Sequence, residues 1–280
     1  MEVLKEELNQ LQEMSEDQLE EMDLEKLVEP MLTHIGSPDP ELRDELIYST
    51  FARLIMNDHL NQNTLIHILK TCIDDDYLFY RIGENEEDSV FRRSFSSLVL
   101  ALIIHKDAEK RFLDSDLAIH VCDKAVTYLM EENDLRGFVE GKGWAHSIAH
   151  GADLITVATK HPTVNPVTFY PKCLTAIKKC VTRDQGVYID NEGERLIFAV
   201  EAMLEKGLQE TELVAWVDSL HDQLKTKTEE GMTHSYFHLR TNLTHFLQTL
   251  YFRLSFKNQG KSCRDTIRAT LKSNFESLYH

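Results

Sequence analysis

Apolar residues recur along this chain at intervals of three and four, the spacing that keeps them on one face of a helix, and not at intervals of two. Breaks rich in Gly, Pro and Asp divide the pattern into about a dozen segments. Pro38 and Pro40 introduce a helix predicted over 41–56, with Ile47, Phe51 and Leu54 on one face. Further helices are predicted over 62–73, 89–106, 116–132, 142–159, 168–181, 191–206, 210–226, 234–256 and 261–278. No segment reads convincingly as a strand, so the expected fold class is all-α.

The helices pair up, and alternate ones carry polar groups amid apolar neighbours: Arg43-Asp44-Glu45, Arg92-Arg93-Ser94, His146 with His150, Glu194-Arg195, and Arg240 with Asn242. Steps from Asp44 through Arg93, His146 and Arg195 to Asn242 are 49, 53, 49 and 47 residues, slightly longer than HEAT and armadillo repeats. The expected architecture is a right-handed α-α superhelix, a HEAT- or armadillo-like solenoid of antiparallel helix pairs with these polar groups along its concave side. The alternative is a compact bundle in which the spacing is accidental. Residues 1–30 hold eleven acids against two bases, with Leu4, Leu8 and Leu11 as a weak apolar stripe. They are expected to form an acidic helical cap on a single solenoid domain over 31–280.

Composition adds exclusions. Only 17 of 280 residues are Gly or Pro, which disfavours sheet-and-turn architectures, and 42% hydrophobic with 28% charged residues describes an ordinary globular chain. A formal charge of −17 repels phosphate backbones, so no nucleic-acid partner is expected. The last thirty residues are mildly basic and read as a solvated terminal helix. Five cysteines, Cys72, Cys122, Cys173, Cys180 and Cys263, form no zinc spacing and suit reduced core thiols. No apolar run reaches the ~20 residues of a membrane span and the start lacks an apolar leader region. A cytoplasmic protein without a membrane partner is therefore expected.

The densest chemical signal lies between Asp134 and Asp153, where four of the eleven glycines fall: Gly137, Gly141, Gly143 and Gly151. On a helix over 142–159, Trp144, Ile148 and Ile155 share an apolar face, and Trp144 reads as a core anchor between repeats. His146, His150 and Asp153 fall within about 60° of one another on the opposite face. Two imidazoles and a carboxylate suit zinc or ferrous iron, although His-x-x-x-His pairs also arise by chance among 13 histidines and serve as plain hydrogen-bonding groups. No cofactor is otherwise implied. Gly151 inside the helix is expected to permit close helix packing. Gly141-Lys142-Gly143 at a helix start offers a weak anion site with Arg136 and Lys142, or simply a turn. A second stripe, His234, His238 and His245, lies on the polar side of the helix running to Phe256.

The blocks Arg43-Asp44-Glu45-Leu46-Ile47-Tyr48, Phe91 to Ser96, Leu135 to Asp153 and Leu250 to Leu254 together resemble an uncharacterised bacterial family catalogued only as a domain of unknown function. The resemblance covers nearly all of the chain after residue 30. It implies an all-helical, HEAT-like cytoplasmic protein of bacterial type and supplies no catalytic residues.

Two functions of different class follow. The first is a noncatalytic binding protein whose groove presents Arg43, Asp44, Glu45, Arg92, Arg93, His146, His150, Asp153, Arg195 and Asn242 to a polar peptide, protein or small ligand. The second is a metal-dependent enzyme with His146, His150 and Asp153 as ligands.

Overall fold

The computed structural model describes residues 1–279, of which 72% is helical against about a third in an ordinary globular chain. The fold is all-α apart from one two-stranded hairpin. Contacts cluster into two compact units, Met1–Val164 and Asn165–His280. The acidic residues 1–30, expected to cap a single domain over 31–280, lie within the first unit.

In unit 1 the acidic start is not one helix. It breaks into α1 (Glu2–Glu13), α2 (Glu16–Glu20), a 3₁₀ turn (Leu24–Leu27) and α3 (Val28–His34). A reciprocal capping box between Ser15 and Gln18 starts α2. Leu4, Leu8 and Leu11 are buried as the stripe predicts, and Arg53 fastens the segment by donating to Leu11 O, Met14 O and the Glu16 carboxylate. Next, Glu41–Tyr48 winds as a π-helix that runs directly into α4 (Ser49–Met56). π-Helix is rare and concentrates at functional sites.

After α5 (Gln62–Cys72) comes α6 (Ser89–Lys110), the spine of the unit. It is buried nearly all round and packs against α4, α5 and, most extensively, α8 (Ser147–Lys160). The helix α7 (Ser115–Glu131) lies against α8 at Gly151, where a Cβ would come within 2.6 Å of Leu129 Cδ2 and 2.9 Å of Tyr128 Cε1. Gly151 thus has the close-packing role its position suggests.

Unit 2 consists of α9 (Pro166–Val181), α10 (Glu192–Glu205), α11 (Glu210–Glu229), α12 (His234–Phe256) and α13 (Lys261–Tyr279). Asn165 caps α9, with Pro166 filling the first-turn position that needs no N–H. Trp216 of α11 is buried edge-on to Phe246, and its indole N–H donates to Leu174 O at 2.8 Å. Among the described residues no helix is long and apolar enough to cross a membrane, and all five cysteines are buried.

Candidate binding site

The segment predicted to start a helix at 142 instead forms a hairpin. Strands β1 (Phe138–Val139) and β2 (Gly143–Trp144) pair antiparallel, with Phe138 opposite Trp144 and Val139 opposite Gly143. Lys142 N donates to Val139 O across the turn, and Gly141 takes φ 73°. Gly143 is required twice over: its φ is 75°, and a Cβ there would sit 2.7 Å from Pro40 Cβ and 3.1 Å from Asp44 Oδ2. Below the strands, Ala145 N donates to Gly137 O and His146 N to Arg136 O. His146 itself sits in the left-handed region at φ 44°, ψ 34° as the N-cap of α8, which begins only at Ser147. A left-handed histidine is uncommon and costs backbone strain that the surrounding hydrogen bonds must hold.

Buried polar groups clamp the hairpin from beneath. The side chain of Arg43, on the π-helical turn, is fully enclosed and donates to Ser37 O at 2.6 Å and to Lys142 O at 2.7 Å. It is ion-paired with Asp44 at 2.7 Å and lies 4.1 Å over the Phe91 ring. Burial pulls the Arg43 guanidinium down and pushes the Asp44 carboxyl up, each opposed by the other's charge. Ser94 Oγ, fully buried on α6, donates to Ala145 O, and His150 Nδ1 lies 2.7 Å from it. Ser147 Oγ donates to Asp134 O, and Asp134 in turn accepts from Glu86 N and Arg136. Arg93 and Glu132, both fully enclosed, pair through 2.7 and 3.0 Å bonds, and Glu132 also accepts from the backbone N–H of Asp134.

What this scaffold holds outward is aromatic. Phe138 is 52% exposed and Trp144 41%. Their rings meet edge-to-face at 5.1 Å, and Trp144 stacks on His146 at 4.3 Å. His150 lies edge-on to His146 at 5.7 Å and to Phe95 at 5.3 Å.

Several expectations are corrected here. Trp144 is a surface ring on a strand, because the glycines open a hairpin where helical spacing was assumed. His146 leaves the helix, so the i, i+4, i+7 face is broken, and His146, His150 and Asp153 do not bring three ligand atoms within 4.8 Å of one another. Arg43 and Arg93 line no groove, being spent inside the protein on carbonyls and carboxylates. Arg136 and Lys142 face Asp134 and Asp88 and sit ahead of a helix that starts later, so the helix-start anion site is not formed. Arg92 lies over Tyr77 and Tyr80, Asp44 accepts from Trp144 N, and Glu45 remains exposed.

In unit 2, Arg195 lies over Phe198, whereas Asn242 is buried and ties down a loop by accepting from Tyr188 N and donating to Arg183 O and Gly186 O. That loop, the start of α10 and α12 enclose a cavity of about 370 Å³, lined in part by Tyr188, Glu194, Asn242, His245 and Phe246. Of the second histidine stripe, His245 reaches this cavity, and His238 Nδ1 instead meets Asp184 O.

Phe138 is a site residue that the sequence reading did not single out, and Ser94 appeared there only within the Arg92-Arg93-Ser94 group, not among the groove residues. The signal for Phe138 is present: Phe-Val-Glu-Gly-Lys-Gly-Trp places two aromatic residues around a three-residue, glycine-containing turn.

A family profile described as "Protein of unknown function (DUF2785)" matches residues 78–252. The chain belongs to this family. The matched segment contains α6, α7, the hairpin, α8 and most of unit 2, and leaves the acidic N-terminus with Arg43 outside it. Comparisons with curated proteins and with solved structures each gave no match.

Proposed function

We propose that this DUF2785 member is a noncatalytic binding protein whose docking element is the 137–146 hairpin. One observation carries the reading: Phe138 and Trp144 remain 52% and 41% exposed while the strands beneath them are clamped by a fully enclosed Arg43. Enclosing an arginine is costly unless its bonds are complete, and Trp is a typical anchor of protein interfaces. Spending that cost on holding a tryptophan at the surface fits presentation to a partner. We read the helix pairs as HEAT-like repeats of an α-solenoid, on the roughly 50-residue spacing of polar groups. Five cysteines, all buried and without zinc spacing, suit a reducing, cytoplasmic setting.

Selection of a random peptide library against the wild-type chain and a Phe138→Ala/Trp144→Ala variant tests this. The reading expects peptides that bind the wild type and lose binding to the variant. Peptides that bind both equally, or no enrichment at all, would contradict it.

A further inference from the structure

The charge around the hairpin narrows the partner. Two acidic segments touch the hairpin or the residues that lead into it. Residues 84–88 contribute Glu84, Glu86, Glu87 and Asp88, with Glu86 N donating to Asp134, Glu87 O accepting from Arg136 and Asp88 pairing with Lys142. Residues 39–45 contribute Asp39 and Glu41, both paired with Lys5, Asp44, paired with Arg43, and an exposed Glu45, and Gly143 sits against Pro40 and Asp44. The turn itself adds an exposed Glu140. The cations of these segments are engaged: Arg43 is enclosed, Arg136 is held by Asp134, and Lys142 by Asp88. Glu86, Glu87 and Glu140 are exposed, so negative charge stands on the turn and on the segment paired with Lys142.

One face of the Trp144 indole is covered by His146, and the part of the two rings left exposed attracts cations through its quadrupole, to which neighbouring carboxylates add. Rings about half exposed do not enclose a small ligand, since such sites bury most of the ligand surface. A longer partner that crosses the hairpin has the length to meet the exposed Glu140, Glu86 and Glu87 as well as the rings. The geometry points to an extended basic peptide segment of another protein, with an arginine or lysine side chain lying on Trp144 and its neighbours facing the flanking carboxylates. This rests on the hairpin being a docking element and adds the chemistry of what docks.

The probe is acetyl-(Gly-Arg)4-amide, titrated into the full chain and followed by tryptophan emission and by calorimetry. Acetyl-(Gly-Glu)4-amide and tetramethylammonium chloride serve as the acidic and small-cation arms. The proposal expects saturable binding of the arginine peptide alone, weakening as salt rises. It expects about tenfold weaker binding for Trp144→Ala, the loss of roughly 1.4 kcal/mol. The Glu86→Gln/Glu87→Gln/Glu140→Gln variant should weaken binding similarly, and circular dichroism checks that both variants stay folded. Absence of binding at millimolar peptide, equal binding of the acidic peptide, tetramethylammonium binding as tightly, or indifference to Trp144→Ala would each overturn it. Library peptides that need the hairpin but are acidic or purely apolar would overturn the basic partner while leaving the docking element standing.

Discussion

The guanidinium of Arg43 reaches the strand that carries Trp144, donating to Lys142 O at 2.7 Å and approaching Trp144 O at 3.5 Å from a fully enclosed position. An arginine from the π-helical turn thus holds the backbone that carries a tryptophan about a hundred residues later in the chain.

Arg43→Met removes these bonds, leaving Lys142 O without the guanidinium and Asp44 without its ion pair. Breaking a buried pair in this way costs about 3 kcal/mol. Urea unfolding should show that loss, with faster amide exchange at Lys142 and Ala145. A change under about 1 kcal/mol would mean the clamp is dispensable.

The two tryptophans should behave oppositely. Trp216→Ala empties a core position and forfeits the indole bond to Leu174 O, at a cost of about 3–5 kcal/mol. Trp144→Ala strips a surface ring and should cost less than about 1 kcal/mol. Chemical denaturation of both variants side by side decides; equal losses would place Trp144 in the core.

Gly151→Ala sets helix propensity against packing. Propensity alone predicts a gain of about 1 kcal/mol. The 2.6 Å approach to Leu129 predicts overpacking, worth about 1–3 kcal/mol, so the net effect should be destabilising. A stabilised variant would show that α7 and α8 have room to part.

His161 gives a pH signature. Its Nε2 lies 2.9 Å from the Asp107 carboxylate, both side chains are enclosed, and Thr163 N donates to Nδ1, so the ring is held neutral with its proton on Nε2. Burial lowers its pKa, opposed by Asp107. The unfolded chain therefore binds a proton first: stability is complete above about pH 6.5 and falls as pH drops below it. His34 and His221 are lowered in the same sense by burial. Glu16, held down to about 2 by His59 and Arg53, acts only further into acid, below about pH 4.5. Urea midpoints between pH 7 and 5 should decline, and His161→Asn, which keeps a donor for Asp107, should flatten part of the slope. An unchanged slope in that variant would remove His161 from the account.

The helices were legible because each buries a broad stripe, and the spacing of Leu65, Ile68, Leu69 and Cys72 or of Leu243, Phe246, Leu247 and Leu250 is visible in the sequence alone. The hairpin was harder to read, because its strands are two residues long and show no alternation, which leaves the glycine-containing turn between Phe138 and Trp144 as its local signal. Extending the α8 period backwards through Gly141 and Gly143 then put Trp144 on the wrong face. Arg43 and Arg93 misled for a different reason: a charge amid apolar neighbours marks either a groove or an enclosed pair. The partner that decides, Glu132 for Arg93, lies 39 residues away in sequence.

The hairpin's role is tested most directly by ¹⁹F NMR of the chain labelled with 5-fluorotryptophan, which carries just two reporters, Trp144 and Trp216. On titration with a peptide selected against the wild type, the Trp144 resonance should shift and saturate while that of Trp216 in unit 2 stays in place. A bound peptide that leaves Trp144 unmoved would contradict the assignment of the hairpin as the docking element.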